Sequence, residues 1–259
     1  MHAVPTSKEF FTDILKSQLN QLSGRGFDFQ YNPLNTKVAV IVEPREHELL
    51  AAVIHNVMFF LGDSWNLQIF TGRGKKAWVC DEVLKLCGAK VCEIDVENLA
   101  VHEYSALLMN REFWDSIAEP NILIFQTDCI MLRNGIGRFV GYDFAGANYF
   151  KRRDMAPMYG GIQGGFSLRS KQCMLDCIRD VSENDVNDYR RMQGFDALQL
   201  PLAEDVFFTH ACEILGKFVV PAEERKHFSI EAEFFEKPIA FHGFVHDYFD
   251  HEHNKKLVM

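Results

Sequence analysis

The chain has 259 residues, 47% hydrophobic and 24% charged, with a net charge of −9. That length suits one large domain or two small ones. The acidic balance argues against a general nucleic-acid binder, which needs a basic face, and no apolar run approaches the ~20 residues of a membrane span. Seven cysteines, at 80, 87, 92, 129, 173, 177 and 212, are odd in number, scattered through apolar stretches and without a CxxC pair. This pattern predicts reduced, buried thiols in a cytoplasmic compartment and argues against a cysteine-based zinc site. The N-terminus lacks the charged-then-apolar pattern of a secretory signal.

In chain order, Thr6-Ser7-Lys8-Glu9 is a capping-box pattern. Phe10, Phe11, Ile14, Leu15 and Leu22 follow at helical spacing as far as Gly24, which predicts a leading helix within 1–25. Lys37 to Val42 reads as a buried strand ending in Glu43-Pro44-Arg45, and a helix follows from about Glu46 to Leu61. Further strands are predicted at Asn66 to Phe70, ending in Thr71, and at Val91 to Ile94, with a helix between them through Trp78, Val83 and Leu84. A helix from Glu103 to Ile117 leads to the most apolar strand, Ile122 to Phe125. Four strand-then-helix units predict an α/β fold with a mainly parallel, doubly wound sheet.

The strand ends Glu43, Arg45, Thr71 and Gln126-Thr127-Asp128 then share one carboxyl edge, where α/β proteins bind ligands. Asp128 stands between two apolar runs, Ile122 to Phe125 and Cys129 to Leu132. A carboxylate there is costly to desolvate unless it meets a cation, N–H groups or water. No GxGxxG or GxxxxGK[ST] follows the first strand, which disfavours a Rossmann dehydrogenase and a P-loop enzyme. The pattern changes after Asp128, so we expect a nucleotide-binding lobe (about 37–128) and a second lobe (about 129–250) sharing one sheet. In the second lobe the sequence predicts a polar loop at Lys151 to Asp154, a glycine turn at Gly164-Gly165 and a strand at Phe166 to Arg169. Beyond these it predicts a helix at Met174 to Val181, a surface loop at Glu183 to Arg191, a helix from Pro201 to Leu215 and a solvated His/Asp-rich tail.

Four segments, FQTDCIMLR, IQGGFSLRS, LAEDVFF and IAFHGF, occur in this order. Together they resemble the GT-A glycosyltransferases, and in particular a DUF5672-like family reading FQTD, NGGFSLR, EDVFF and FHG. The resemblance runs from about Val38 to Phe244. Pro44 and Gln163 depart from it, standing where Thr and Asn are expected.

The resemblance implies a GT-A (Rossmann-like nucleotide-diphospho-sugar transferase) fold with a mixed sheet of seven or eight strands. It implies transfer of a sugar from a nucleotide-sugar donor, UDP-linked, to a glycan hydroxyl. Asp128, in a DxD-like motif shortened to QTD, and His242, with His246 as rival, would bind Mn²⁺, or alternatively Mg²⁺. Glu43, Arg45, Thr71, Gln126 and Thr127 would contact the nucleotide, and Gly164 and Gly165 would let backbone approach the sugar. Asp205, or Glu204 in its place, would be the base of an inverting reaction. Two other readings stand beside this one. A sugar nucleotidyltransferase should show a Gly-rich basic loop after the first strand, and EPREHE is not that. A catalytically inactive binding module is suggested by the shortened QTD.

Overall fold

The computed structural model describes residues 4–23, 30–84, 88–148 and 161–259. The predicted polar loop at Lys151 to Asp154, the Gly24 stop and Cys87 lie outside the described residues. Nine strands and ten helices alternate through the described chain: α1 (Ser7–Ser23), β1 (Lys37–Val42), α2 (Leu50–Leu61), β2 (Asn66–Thr71), α3 (Lys76–Trp78, running into a π-turn at Val79–Leu84), β3 (Lys90–Glu93), α4 (Val101–Leu108), α5 (Arg111–Asp115), β4 (Asn121–Phe125) and β5 (Cys129–Met131). They continue with β6 (Phe144–Asn148), β7 (Ile162–Ser170), α6 (Lys171–Asp180), α7 (Glu183–Met192), α8 (Glu204–Ile214), α9 (Ala222–Phe228), β8 (Ser229–Ile230), β9 (Ala240–His242) and α10 (His251–Val258).

The main sheet has six strands in the order β3-β2-β1-β4-β7-β6. β1 to β4 are mutually parallel, β7 runs antiparallel to β4, and β6 antiparallel to β7. The sheet is therefore mixed and mainly parallel, and strands of the second predicted lobe join it. A second sheet, β5-β9-β8, holds three strands, so the expectation of one sheet of seven or eight strands is corrected to six plus three.

The uninterrupted apolar runs follow from burial on both faces. Ala39, Ile41, Leu123 and Phe125 pack under α1, α2 and the small sheet. Val38, Val40, Ile122 and Ile124 pack on the opposite face with Trp114, Phe208 and the helices α5, α6 and α8. Each Val, Leu, Ile or Phe among them, fully buried, contributes about 1.5–3 kcal/mol. On α2, the buried Asn56 donates to Met131 O at 3.0 Å and accepts from Met131 N at 2.7 Å, fastening the helix to β5.

Several other expectations change. Gly164-Gly165 forms no turn but lies inside β7. Glu183 to Arg191 is helical: Ser182 and Asp185 cap α7 reciprocally, and Val186, Asn187 and Arg190 are buried. The helix expected at Glu103 to Ile117 divides, because Asn110 leaves helical geometry and caps α5. The tail is not solvated throughout. It ends in α10, where Asn254 donates to Ser7 Oγ at 2.8 Å and Leu257 is buried. Among the described residues its histidines do not converge with carboxylates as a metal-ligand group.

Candidate active site

The sheet register fixes where the polar residues meet. Ile41 pairs with Phe125 and Val42 with Phe70, so Glu43, Thr71 and Gln126 leave their strands at one carboxyl edge. Phe125 pairs with Phe166, which places Gly164 and Gly165 at that same edge. Cys129 pairs with His242, which carries the β9 histidine beside the β4–β5 turn.

His242 Nε2 lies 3.1 Å from Gln126 Oε1 and 3.5 Å from Asp128 Oδ1. Its Nδ1 faces Glu231 Oε1 at 3.9 Å, beyond hydrogen-bond range. His242 Nδ1 and Glu231 Oε2 are both buried without a hydrogen-bond partner. Burial, followed by the Asp128 charge, raises the Glu231 pKa, with His242 pulling the other way. Cys129 lies within ligand reach of Asp128 and His242. Its thiol, however, donates to Gly165 O at 3.2 Å, and burial holds its pKa well up, so it is a poor ligand.

Beside this group opens a cavity of ≈ 430 Å³. Glu43, Arg45, His47, Asn98, Tyr104, Gln126, Thr127 and Asp128 line it. Glu43, buried at the end of β1, grips Arg45 through two bonds of 2.8 Å, and those bonds raise the arginine pKa. His47 Nδ1 accepts from Leu49 N at 3.2 Å, which leaves Nε2 to carry the ring proton. Burial lowers the His47 pKa and favours this neutral form. Burial raises the Tyr104 pKa, and a hydrogen bond with Gln126 acts against it. Thr71 is buried and does not line the cavity.

The two glycines explain the rest. A Cβ on Gly165 would collide with the His242 ring, and one on Gly164 with Glu204 Oε1 and Arg169. They accommodate the protein's own side chains, the His242 ring and the Glu204–Arg169 pair. Glu204 accepts from Arg169 Nη1 at 2.6 Å and Nη2 at 3.0 Å. The guanidinium is fully buried, with Phe144, Phe208 and Trp114 rings 4.9 to 5.9 Å away. Burial opposes its charge, but the attraction and hydrogen bonds of Glu204 prevail. Asp205, beside Glu204 at the start of α8, accepts from Val206 N at 2.8 Å and Gly164 N at 3.3 Å. The helix N-terminus favours its anion.

The structure thus brings Gln126, Asp128, Gly165 and His242 into one group, with Glu43, Arg45 and Thr127 on the adjoining cavity wall. Gly164, Glu204 and Asp205 form a neighbouring group. Sequence reasoning missed Glu231, His47, Asn98, Tyr104 and the role of Arg169. Only Arg169 left a signal, as a cation at the end of an apolar strand, which requires a buried acid.

The fold is a mixed α/β architecture with a mainly parallel central sheet, like that of GT-A glycosyltransferases. The crystal structure of apo mouse xyloside xylosyltransferase 1 matches with a TM-score of 0.51 at 10% identity, covering 83% of this chain and 97% of that one. The glycosyltransferase GlyE of Streptococcus pneumoniae TIGR4 matches with a TM-score of 0.49 at 11% identity, covering 84% of this chain. This chain spans 55% of GlyE. No curated protein matches the chain. Residues 89–242, more than half of the sequence, match the family described as "Protein of unknown function (DUF5672)". The chain belongs to that family. The matched segment includes Asp128, Gly164, Gly165, Glu204, Asp205 and His242, and begins after Glu43 and Arg45.

Proposed function

We propose that this protein is a glycosyltransferase, moving a sugar from a UDP-linked donor to a glycan hydroxyl with a divalent cation, Mn²⁺ before Mg²⁺. The observation that carries the reading is the meeting of Asp128, Gln126 and His242 at the carboxyl edge of the sheet, beside the cavity walled by Glu43 and Arg45. One carboxylate, one imidazole and one amide oxygen make a mixed donor set, which suits manganese better than magnesium. With Nε2 serving the ion, His242 Nδ1 carries the ring proton, 3.9 Å from Glu231 Oε1. An ion held there by Asp128, Gln126 and His242 would supply positive charge for the departing diphosphate.

The chain's own groups do the remainder. Arg45, braced by Glu43, directs its remaining N–H groups at the nucleotide. His47 Nε2–H and the Tyr104 hydroxyl donate into the same cavity, where Thr127 also contributes. Asp205 takes the proton from the acceptor hydroxyl as its oxygen attacks the anomeric carbon, and the configuration inverts. Glu204 serves as the counter-ion of Arg169 and holds the start of α8 in place. The six described cysteines, none in a disulfide, agree with work in a reducing, cytoplasmic compartment.

Calorimetry with UDP, with and without Mn²⁺, tests the reading. Binding should require the metal and should fail in Asp128→Asn. UDP affinity indifferent to Mn²⁺ refutes it. A second reading, an inactive nucleotide-binding module, is favoured by Gln126, which leaves the site one carboxylate short of the usual pair. It expects UDP affinity that does not depend on Mn²⁺ and no hydrolysis of any UDP-sugar.

A further inference from the structure

We propose that Cys173, Cys177 and Cys212 form a three-sulfur site for one soft monovalent cation, Cu(I). Cys173 and Cys177 lie one turn apart on α6, and Cys212 faces them from α8. The Cys212 sulfur is 3.6 Å from that of Cys173 and 3.9 Å from that of Cys177, and all three lie within 4.8 Å of one another. Three sulfurs bound about 2.3 Å from a coplanar ion, the usual metal–thiolate length, stand about 4.0 Å apart. The native spacing therefore needs only small adjustments to hold an ion.

The donor set selects the ion. No His, Asp or Glu joins the cluster among the described residues. Structural zinc closes a tetrahedron with four ligands. Soft Cu(I) is satisfied by sulfur alone. The surroundings supply charge and a way in. The Lys217 backbone donates to Cys212 O at 2.9 Å, and its ammonium pairs with Asp176 at 2.6 Å. Those two side chains are 23% and 17% exposed. Each sulfur that binds as thiolate releases one proton to solvent, and no electron is transferred when the ion arrives as Cu(I). As plain core residues the cysteines would need no common centre.

The test is an anaerobic titration of the reduced full-length protein with Cu(I) supplied as its acetonitrile complex. Sulfur-to-copper charge-transfer absorption should saturate at one ion per chain and raise the thermal midpoint. Cys177→Ala and Cys212→Ala, each checked for fold by circular dichroism, should lose both effects. If either alanine variant fails to fold, the corresponding serine variant makes the same test. Cys80→Ala, at an exposed position, should keep both effects. Absorption that does not saturate at one equivalent, that survives both cluster variants, or that disappears with Cys129→Ala overturns the assignment. So does displacement of the bound copper by equimolar Zn²⁺.

Discussion

Breaking the pair between Arg169 and Glu204 tests the reasoning about the site at its most quantitative point. Both partners are buried, and two short hydrogen bonds join them. Glu204→Gln removes the charge at nearly constant shape and leaves the guanidinium unpaired among aromatic rings. Arg169→Met removes the cation and strands the carboxylate. Each single change should cost about 3–5 kcal/mol, because an uncompensated buried charge remains. The double variant leaves no charge at this position and should recover most of that loss. With a guanidinium slope of about 6 kcal/mol/M, a loss of ~4 kcal/mol lowers the unfolding midpoint by roughly 0.7 M. Denaturation followed by circular dichroism measures all three variants in one series. If either single change costs under about 1 kcal/mol, or if the losses simply add, the two groups are not a desolvated pair. In that case Glu204 regains its claim as a base.

Asp205→Asn should keep metal-dependent UDP affinity and lose turnover by about 10²–10⁴-fold, as expected for a missing general base; full turnover in a product assay excludes the role. Gly165→Ala places a methyl against the His242 ring; Mn²⁺ affinity by calorimetry should fall while the circular dichroism spectrum is unchanged, and unaltered affinity contradicts the ligand assignment. Glu231→Gln has two opposed effects. The folded-state pKa of Glu231 is raised, so its contribution to stability is present below the unfolded pKa and lost as pH rises through the folded value. The variant should therefore gain stability over the wild type across that interval and above it in metal-free melts. Its Mn²⁺ affinity should drop as the negative charge 3.9 Å from His242 Nδ1 is lost.

Much of the first half of the fold can be read from the residues. β1 and β4 announce themselves because burial on both faces leaves no polar interruption, and their polar ends mark the edge where Glu43 and Asp128 emerge. The failures have a common physical cause, namely contact between segments distant in sequence. Gly164-Gly165 looks like a turn until His242 and Glu204 press against it, 77 and 40 positions further along the chain. The polar composition of α7 hides a Ser182–Asp185 cap and a buried Arg190. Glu231 belongs to no motif and is found only because β8 brings it beneath the His242 ring. The thiols of α6 and α8 look scattered along the chain, and helix packing gathers them.

Asn56 has a consequence for how copies of this protein avoid one another. β5 is the outermost strand of the small sheet, and the amide of Asn56 occupies both hydrogen-bonding groups of Met131. An open border of that kind invites strand exchange and aggregation. One side chain closes it, so Asn56→Leu would leave the Met131 N–H and C=O buried without partners while every group around Asp128 and His242 stays in place.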